Sequence, residues 1–466
     1  MNKDHRLKEI TSEATDFKRE IGVFGGVSII GGIMIGSGIF YLGAIVLQRT
    51  GMSLGLSLAC WLVGGIISLM GGLCFAELGA AMPRSGGSTV YLSEAFHPVV
   101  GFIRGFSDWA IGGPGSVAAI AIALPSALQS FFSLGEGTIK AIAIALIVAL
   151  TVYNLFGIRV GTLLQDTFMI AKLIPIFLIM FAALIAGKVS PELSLAPVVG
   201  GPVGTVKILS MVAFGVVASL WAYEGWSNIN SVAEEMKDPR KSLPRAVFLG
   251  IGFVTLLYVA FNYAIYRVLP FEEIRSMLSE DNLYLGTAVA KKIFGNFGAV
   301  LVTIGMAVSM FGALNGLIIA QPRMYYALAQ EGHFFKSFAR LHPKHKVPTA
   351  ALLVQGLLSI LLVLSRNLDQ LTSLVVFIGM VFNLMTILAV FILRRKHPHI
   401  ARPYKVFGYP FTVFVTSLIF LGLVVNTFFD DPTSALLGIT VPVVGVFVYM
   451  YFDRRLKRER RAEGEV

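Results

Sequence analysis

Twelve apolar runs, each long enough to cross a lipid bilayer, leave this chain almost no way to fold in water. A spanning helix needs ~20 apolar residues. The runs fall at about 21–47, 54–81, 99–131, 139–157, 164–186, 206–233, 244–269, 293–328, 348–365, 371–394, 408–429 and 433–452. Charged residues make up 14% of the chain, against ~25% in soluble proteins. The expected fold class is therefore an all-α integral membrane protein with twelve transmembrane helices. The first twenty residues are polar and carry no cleavable signal, so the first span reads as a retained helix.

Loop charge sets the orientation. With both termini in the cytoplasm, 27 of the 38 Lys and Arg residues fall in cytoplasmic segments. Nine fall outside, Arg366 among them, and Lys172 and Arg323 lie within helices. That asymmetry satisfies the positive-inside rule and supports an even number of spans. The expected location is the cell membrane, multi-pass. The net charge of +11 gives no case for nucleic-acid binding, because the basic residues sit in short loops between apolar runs. The tail 453–466 is basic and either lies against anionic lipid or serves only to fix topology.

The first run is interrupted at its centre by Gly36-Ser37-Gly38, within Gly32-Ile33-Met34-Ile35-Gly36-Ser37-Gly38-Ile39-Phe40. Lipid offers the backbone no hydrogen-bond partners. A break at that depth survives only against protein or a water-filled cavity. Tight helix packing through small residues is the other use of such glycines. The sixth run repeats the anomaly: Leu220-Trp221-Ala222-Tyr223-Glu224-Gly225-Trp226-Ser227-Asn228 puts a carboxylate and an amide in mid-membrane. Span one runs outward and span six inward. Broken helices in corresponding positions of two opposed halves point to an inverted-repeat transporter, of which the leucine-transporter fold is the known example. The halves are residues 21–186 and 206–394, preceded by 1–20 and followed by 408–452.

The breaks indicate the ligand. The N–H groups of Ser37 and Gly38 begin a half-helix and suit an anion. Carbonyls freed near Met34, Trp221 and Glu224 suit a cation. An α-amino acid carries both charges on one carbon. The candidate substrate-binding residues are Met34, Ile35, Gly36, Ser37, Gly38, Trp221, Ala222, Tyr223, Glu224 and Asn315.

Several runs resemble the L-type amino acid transporters of the amino acid–polyamine–organocation superfamily. They are Ile33 to Phe40, Pro83-Arg84-Ser85-Gly86-Gly87, Lys172-Leu173-Ile174-Pro175, Trp221 to Trp226, Glu234-Glu235-Met236-Lys237-Asp238-Pro239 with Leu243-Pro244, and Asn315-Gly316 followed by Arg323. The likeness covers about residues 18–455. It implies a five-plus-five inverted repeat and sodium-independent exchange of L-amino acids by alternating access. It implies that Ser37 and Gly38 hold the substrate carboxylate and that carbonyls at Met34, Trp221 and Glu224 hold the amine. It gives Trp221 the place of a bulky side chain closing the outer side. Eukaryotic members join a single-span glycoprotein through a cysteine between spans three and four. Here Phe131 to Lys140 holds none, so no disulfide-linked heavy chain is expected.

Lys172 lies about eight residues into span five, or ~12 Å deep. The resemblance implies an ammonium replacing a sodium ion; the alternative is a lysine snorkelling to the interface. Glu224 has three readings: partner for a cationic side chain, protonatable coupling group, or hydrated vestibule carboxylate. Glu234 and Glu235 end an inward half-helix and oppose its dipole. Arg84 and Arg323 are their candidate gating partners; a solvated helix end is the other reading. Asp108 with Gly112-Gly113-Pro114-Gly115 reads as a packing kink in preference to a flank of the pocket.

All seven histidines fall in loops or at helix ends, which argues against a buried metal site. No nucleotide loop or hydrolase motif occurs, so neither enzyme chemistry nor a cofactor is expected. A channel would repeat a pore motif or share it among subunits. The remaining rival is a proton-coupled amino acid or amine importer of the same fold.

Overall fold

The computed structural model describes residues 3–130, 132–198, 204–280, 282–365, 368–430 and 432–462. Arg366, counted among the external basic residues, lies outside these, as do Phe131 and the last residues of the tail. The regular elements of the described chain are helices. In order it forms α1 (Lys3–Thr11), α2 (Val23–Met34), α3 (Leu42–Arg49), α4 (Leu54–Ala81), α5 (Ser88–Ala95), α6 (Pro98–Ser107), α7 (Gly113–Ala127), α8 (Glu136–Asn154), α9 (Ile158–Ala186) and α10 (Thr205–Ala222). There follow α11 (Pro239–Val268), α12 (Phe271–Ser279), α13 (Leu285–Phe294), α14 (Asn296–Ala320), α15 (Pro322–Gln330), α16 (Thr349–Ser365), α17 (Leu368–Lys396), α18 (Phe411–Asp430) and α19 (Pro432–Ala462). Among the described residues the only β pairing is an isolated bridge between Ile21 and Met236.

Among the described residues, ten helical segments are long and apolar enough to cross a membrane. Val23–Met34 and Thr349–Ser365 are shorter apolar helices. Each long helix shows two faces. On α18 the residues Phe411, Phe414, Leu418, Leu421 and Val425 are exposed at helical spacing, as a lipid-facing stripe requires. The inward stripes are lined with small residues, which let helix backbones approach closely. On α4, a β-carbon on Gly65 would strike Thr255 of α11, and one on Gly72 would meet Ile251 at 2.5 Å.

Some features were not legible in the apolar pattern. The short helices α12 and α13 fill the connection before α14, and α5 folds back before α6. Arg104, counted with the loop charges, sits inside α6, bonded to Ser88 and Asp108. The suspected kink is an i→i+5 turn over Asp108–Gly112, joining α6 to α7. Both chain ends lie on one face: Arg6 pairs with Glu331, while Asp453 pairs with His333 two residues further on. That face is called the terminal face below.

Candidate functional site

The first helix breaks where the glycines cluster. α2 stops at Met34, a 3₁₀ turn covers Ser37–Phe40, and α3 starts at Leu42. Gly36 N–H turns back to the Met34 carbonyl at 3.0 Å. The first N–H groups of the 3₁₀ turn, at Ser37 and Gly38, have no intrahelical acceptor. Gly36, Ser37 and Gly38 are half-buried among buried neighbours, and a β-carbon on Gly36 would meet nothing within 4 Å. Accessible space therefore reaches this backbone.

The second break follows α10. Tyr223, Glu224 and Gly225 separate Ala222 from a 3₁₀ helix at Trp226–Glu235. Gly225 has φ +116°, a conformation that side chains rarely adopt, and a β-carbon there would strike Ile33 of the first break. The two breaks thus touch. Trp221 is 40% exposed. Glu224 is also solvent-reached, and Asn383 of α17 donates to its Oε1 at 3.4 Å. The Trp221 carbonyl accepts Glu224 N–H at 3.3 Å. Met34, Ile35, Ala222 and Tyr223 are buried. Their side chains pack around the breaks.

One side chain joins the breaks. The Tyr258 hydroxyl of α11 lies 2.8 Å from the Met34 carbonyl and 3.1 Å from the Ala222 carbonyl. Its single proton is shared between them. Its ring packs against Trp61 and Tyr223, with centroids 5.2 Å away in each case, and Tyr223 donates to the Trp61 carbonyl at 2.8 Å.

Lys172 is fully buried. Its ammonium donates to the carbonyls of Gly32 (2.7 Å), Ile35 (2.8 Å) and Ser309 (3.3 Å). Ser309 Oγ also donates to the Ile35 carbonyl. The Lys172 Nζ thus bonds two carbonyls at the first break and one of α14, and ties the break to α9 and α14. Snorkelling does not describe this side chain.

Asn315 does not face the breaks. It is fully buried, accepts from Asn154 at 2.9 Å, and donates to Gln165 Oε1 (2.9 Å) and the Gly161 carbonyl (3.1 Å). Helical phase turns it toward α8 and α9, a point that position in the run does not convey.

Both glutamates below the second break have basic partners. Arg84 lies 2.9 Å from Glu234, whose other oxygen accepts Ser85 N–H at 2.9 Å. Arg323 makes two bonds to Glu235, at 2.6 and 3.1 Å, and this pair is fully buried. Residues ahead of α2 lie across them. Arg6 reaches Glu331 (2.9 Å) and Glu94 (3.3 Å), Glu13 pairs with Arg240 (2.8 Å), and Phe17 packs edge-on against Tyr326. The N–H groups of Glu20 and Ile21 both donate to the Glu235 carbonyl at 3.0 Å. The terminal face is closed by these contacts. Arg84→Gln is expected to lower stability by about 1 kcal/mol or less, because partly solvated pairs are weak and Ser85 still holds Glu234. Thermal unfolding of the purified chain checks this. A loss of several kcal/mol would make Arg84, which also donates to the Glu9 and Ala14 carbonyls, a principal closure.

Tyr258, Ser309, Asn383 and Gln165 escaped the sequence reading. Ser309 and Asn383 carried a signal, each a polar residue inside an apolar run, whereas Gln165 stands at the edge of its run beside Asp166 and Tyr258 reads as aromatic bulk.

A helical membrane bundle with accessible backbone at two touching helix breaks, and ion pairs sealing one face beneath them, has the construction of a carrier. The chain belongs to the amino acid permease family, whose profile matches residues 21–452. It is 32% identical over 451 residues to the serine/threonine exchanger SteT of Bacillus subtilis, covering 95% of this chain and 99% of that one. It is 32% identical to the large neutral amino acids transporter small subunit 2 of Homo sapiens, over 93% of this chain and 80% of that one. The cystine/glutamate transporter of Homo sapiens is 31% identical, over 94% and 86%.

Proposed function

We propose that this chain exchanges L-amino acids across the cell membrane without sodium, by alternating access, favouring neutral substrates and accepting cationic ones. The substrate carboxylate meets the N–H groups of Ser37 and Gly38, and its ammonium meets carbonyls at Met34, Trp221 and Glu224. The single observation that carries sodium independence is the Lys172 ammonium held by carbonyls of the first break, where a carrier coupled to sodium would need a metal cation. The similar proteins named above include an exchanger and amino acid transporters, which supports the substrate class.

The architecture that goes with this reading has twelve spans. The ten long helical segments are joined by α2 with α3, and by α16. Residues 21–186 and 206–394 form two inverted five-helix repeats, and 408–452 adds two helices. The terminal face is cytoplasmic in this reading, which the distribution of Lys and Arg supports. The protein works without a disulfide-linked heavy chain. Both cysteines, Cys60 and Cys74, are buried in α4, which supports that reading.

Counterflow in proteoliposomes tests the exchange. Uptake of labelled amino acid is expected to require internal amino acid and to ignore a pH gradient. Uptake driven by the gradient alone would instead support a proton-coupled importer, with Glu224 as the candidate coupling group because it sits in the break. A panel of common L-amino acids competing for one label then ranks the side chains. Glu224→Ala is expected to raise the half-saturation constant for lysine and arginine about tenfold, the scale of one charge-assisted hydrogen bond. Neutral substrates are expected to change little. Equal losses for both classes would remove its role in selectivity.

A further inference from the structure

We propose that Gln165 is a positioning residue that clasps the terminal-side half of the broken first helix, with Asn315 and Asn154 orienting its amide. The proposal deepens the alternating-access reading above, on which it rests.

The chain of amides is continuous. Asn154 at the end of α8 donates to Asn315 Oδ1 at 2.9 Å. Asn315 of α14 donates to Gln165 Oε1 at 2.9 Å. Gln165 of α9 donates through Nε2 to the Ser28 carbonyl of α2 at 3.2 Å. All three side chains are buried. An amide whose oxygen is engaged by a donor must turn its NH₂ the other way. Asn315 therefore fixes which group Gln165 offers to α2, and Asn154 fixes Asn315 in the same sense.

The first helix is shaped for this contact. A β-carbon on Gly32 would collide with Gln165 Nε2, and one on Gly31 would meet Met169 Cε at 2.5 Å. Gln165, Met169 and Lys172 stand at i, i+4 and i+7, so they form one stripe on α9. That stripe touches α2 at three levels: Gln165 on Ser28, Met169 on Gly31, and Lys172 on Gly32 and Ile35. Lys172 holds the break itself. Gln165 holds the half-helix on the terminal side of it.

The placement speaks for positioning rather than fold support. The Ser28 carbonyl lies inside α2 and has the helical N–H four residues on as a partner. Deleting the Gln165 donor leaves it paired. Asn315 Nδ2 likewise keeps the Gly161 carbonyl at 3.1 Å. The clasp joins α2 to α8, α9 and α14. Opening the terminal face requires α2 to leave those helices, so the bond between Gln165 and Ser28 exists in the closed state and is lost in the open one. Interactions made in one state alone bias the equilibrium between states.

The test reads accessibility and needs no substrate. In the full chain with Cys60 and Cys74 replaced by Ala, Ser227→Cys places a thiol below the second break. The protein is reconstituted in liposomes, and a membrane-impermeant maleimide is added at the terminal face. Gln165→Met keeps the volume and deletes the clasp. It is expected to speed alkylation between roughly two- and thirtyfold, the range for residues that modulate coupling, with the melting temperature nearly unchanged. Asn154→Leu, which only disorients the chain, is expected to act in the same direction by less. Unchanged alkylation in Gln165→Met overturns the proposal, as does faster alkylation that merely tracks a fall in melting temperature. Wild-type counterflow in the same vesicles reports separately on the exchange reading, so the two fail independently.

Discussion

Gly36→Val is expected to abolish saturable amino acid uptake while the protein still folds and inserts. The backbone at Gly36 has φ −104° and ψ −157°, an extended conformation on the negative-φ side and outside the left-handed region. A β-carbon there meets nothing within 4 Å. The new side chain therefore enters free space, with no packing to disturb and no left-handed backbone to strain. That space adjoins the N–H groups of Ser37 and Gly38, where the substrate carboxylate is assigned. Displacing a bound group by even ~1 Å in a tight site costs on the order of 100-fold. An isopropyl group in the gap is expected to cost at least that in apparent affinity. Gly38→Val is a poorer probe. Its β-carbon would lie 2.7 Å from Leu42 Cδ1, so lost transport there would mix blockage with strain. Binding by thermal-shift titration and uptake in vesicles are the readouts. Normal half-saturation in Gly36→Val would remove the carboxylate site from this backbone.

The two breaks were legible because membrane-embedded backbone obeys a strict rule. Irregular chain in lipid must find internal partners, so glycines at the centre of an apolar run stand out without any structural knowledge. The ion pairs of Glu234 and Glu235 were legible in part. Acids at the end of an inward half-helix oppose its dipole and need cations, but the sequence did not say that Arg84 takes Glu234 and Arg323 takes Glu235. The same rule fell short for Asn315, Gln165 and Asn154. Each is a single amide in an apolar run, and its partner is set by the rotation of one helix against another. A shift of one residue turns a helix face by about 100°, more than any boundary read from hydropathy can resolve. Tyr258 was hidden for a related reason. An aromatic residue in an apolar run looks like lipid-facing or core bulk, and only its hydroxyl, aimed at two freed carbonyls, sets it apart. The features legible in the sequence were those that violate the solvent's demands. The others satisfy those demands through neighbours that are distant in the chain.

Lys172→Met is expected to slow exchange on the order of 100-fold, the cost of misplacing reacting or binding groups by ~1 Å. Methionine approximates the length of the stem and deletes the ammonium. Three carbonyls lose a donor, yet the losses are unequal. Ile35 keeps Ser309 Oγ. Ser309 lies inside α14, where its carbonyl has a helical partner. Gly32 has neither: the N–H four residues on belongs to Gly36, which bonds to Met34 instead. The variant therefore leaves one carbonyl buried beside the break without a donor. Such a group costs about 1–3 kcal/mol, offset in part because a buried charge is no longer desolvated. Stability is thus expected to fall modestly and transport severely, a split that loss of packing alone would not produce. Lys172→Ala separates charge from volume, since it opens the space that the side chain filled. If the ammonium serves as a built-in cation, added sodium is expected to raise the melting temperature of the Ala variant and to leave wild type unchanged. Exchange at the wild-type rate in Lys172→Met would show that the first break keeps its shape without the ammonium, and sodium independence would then need another source.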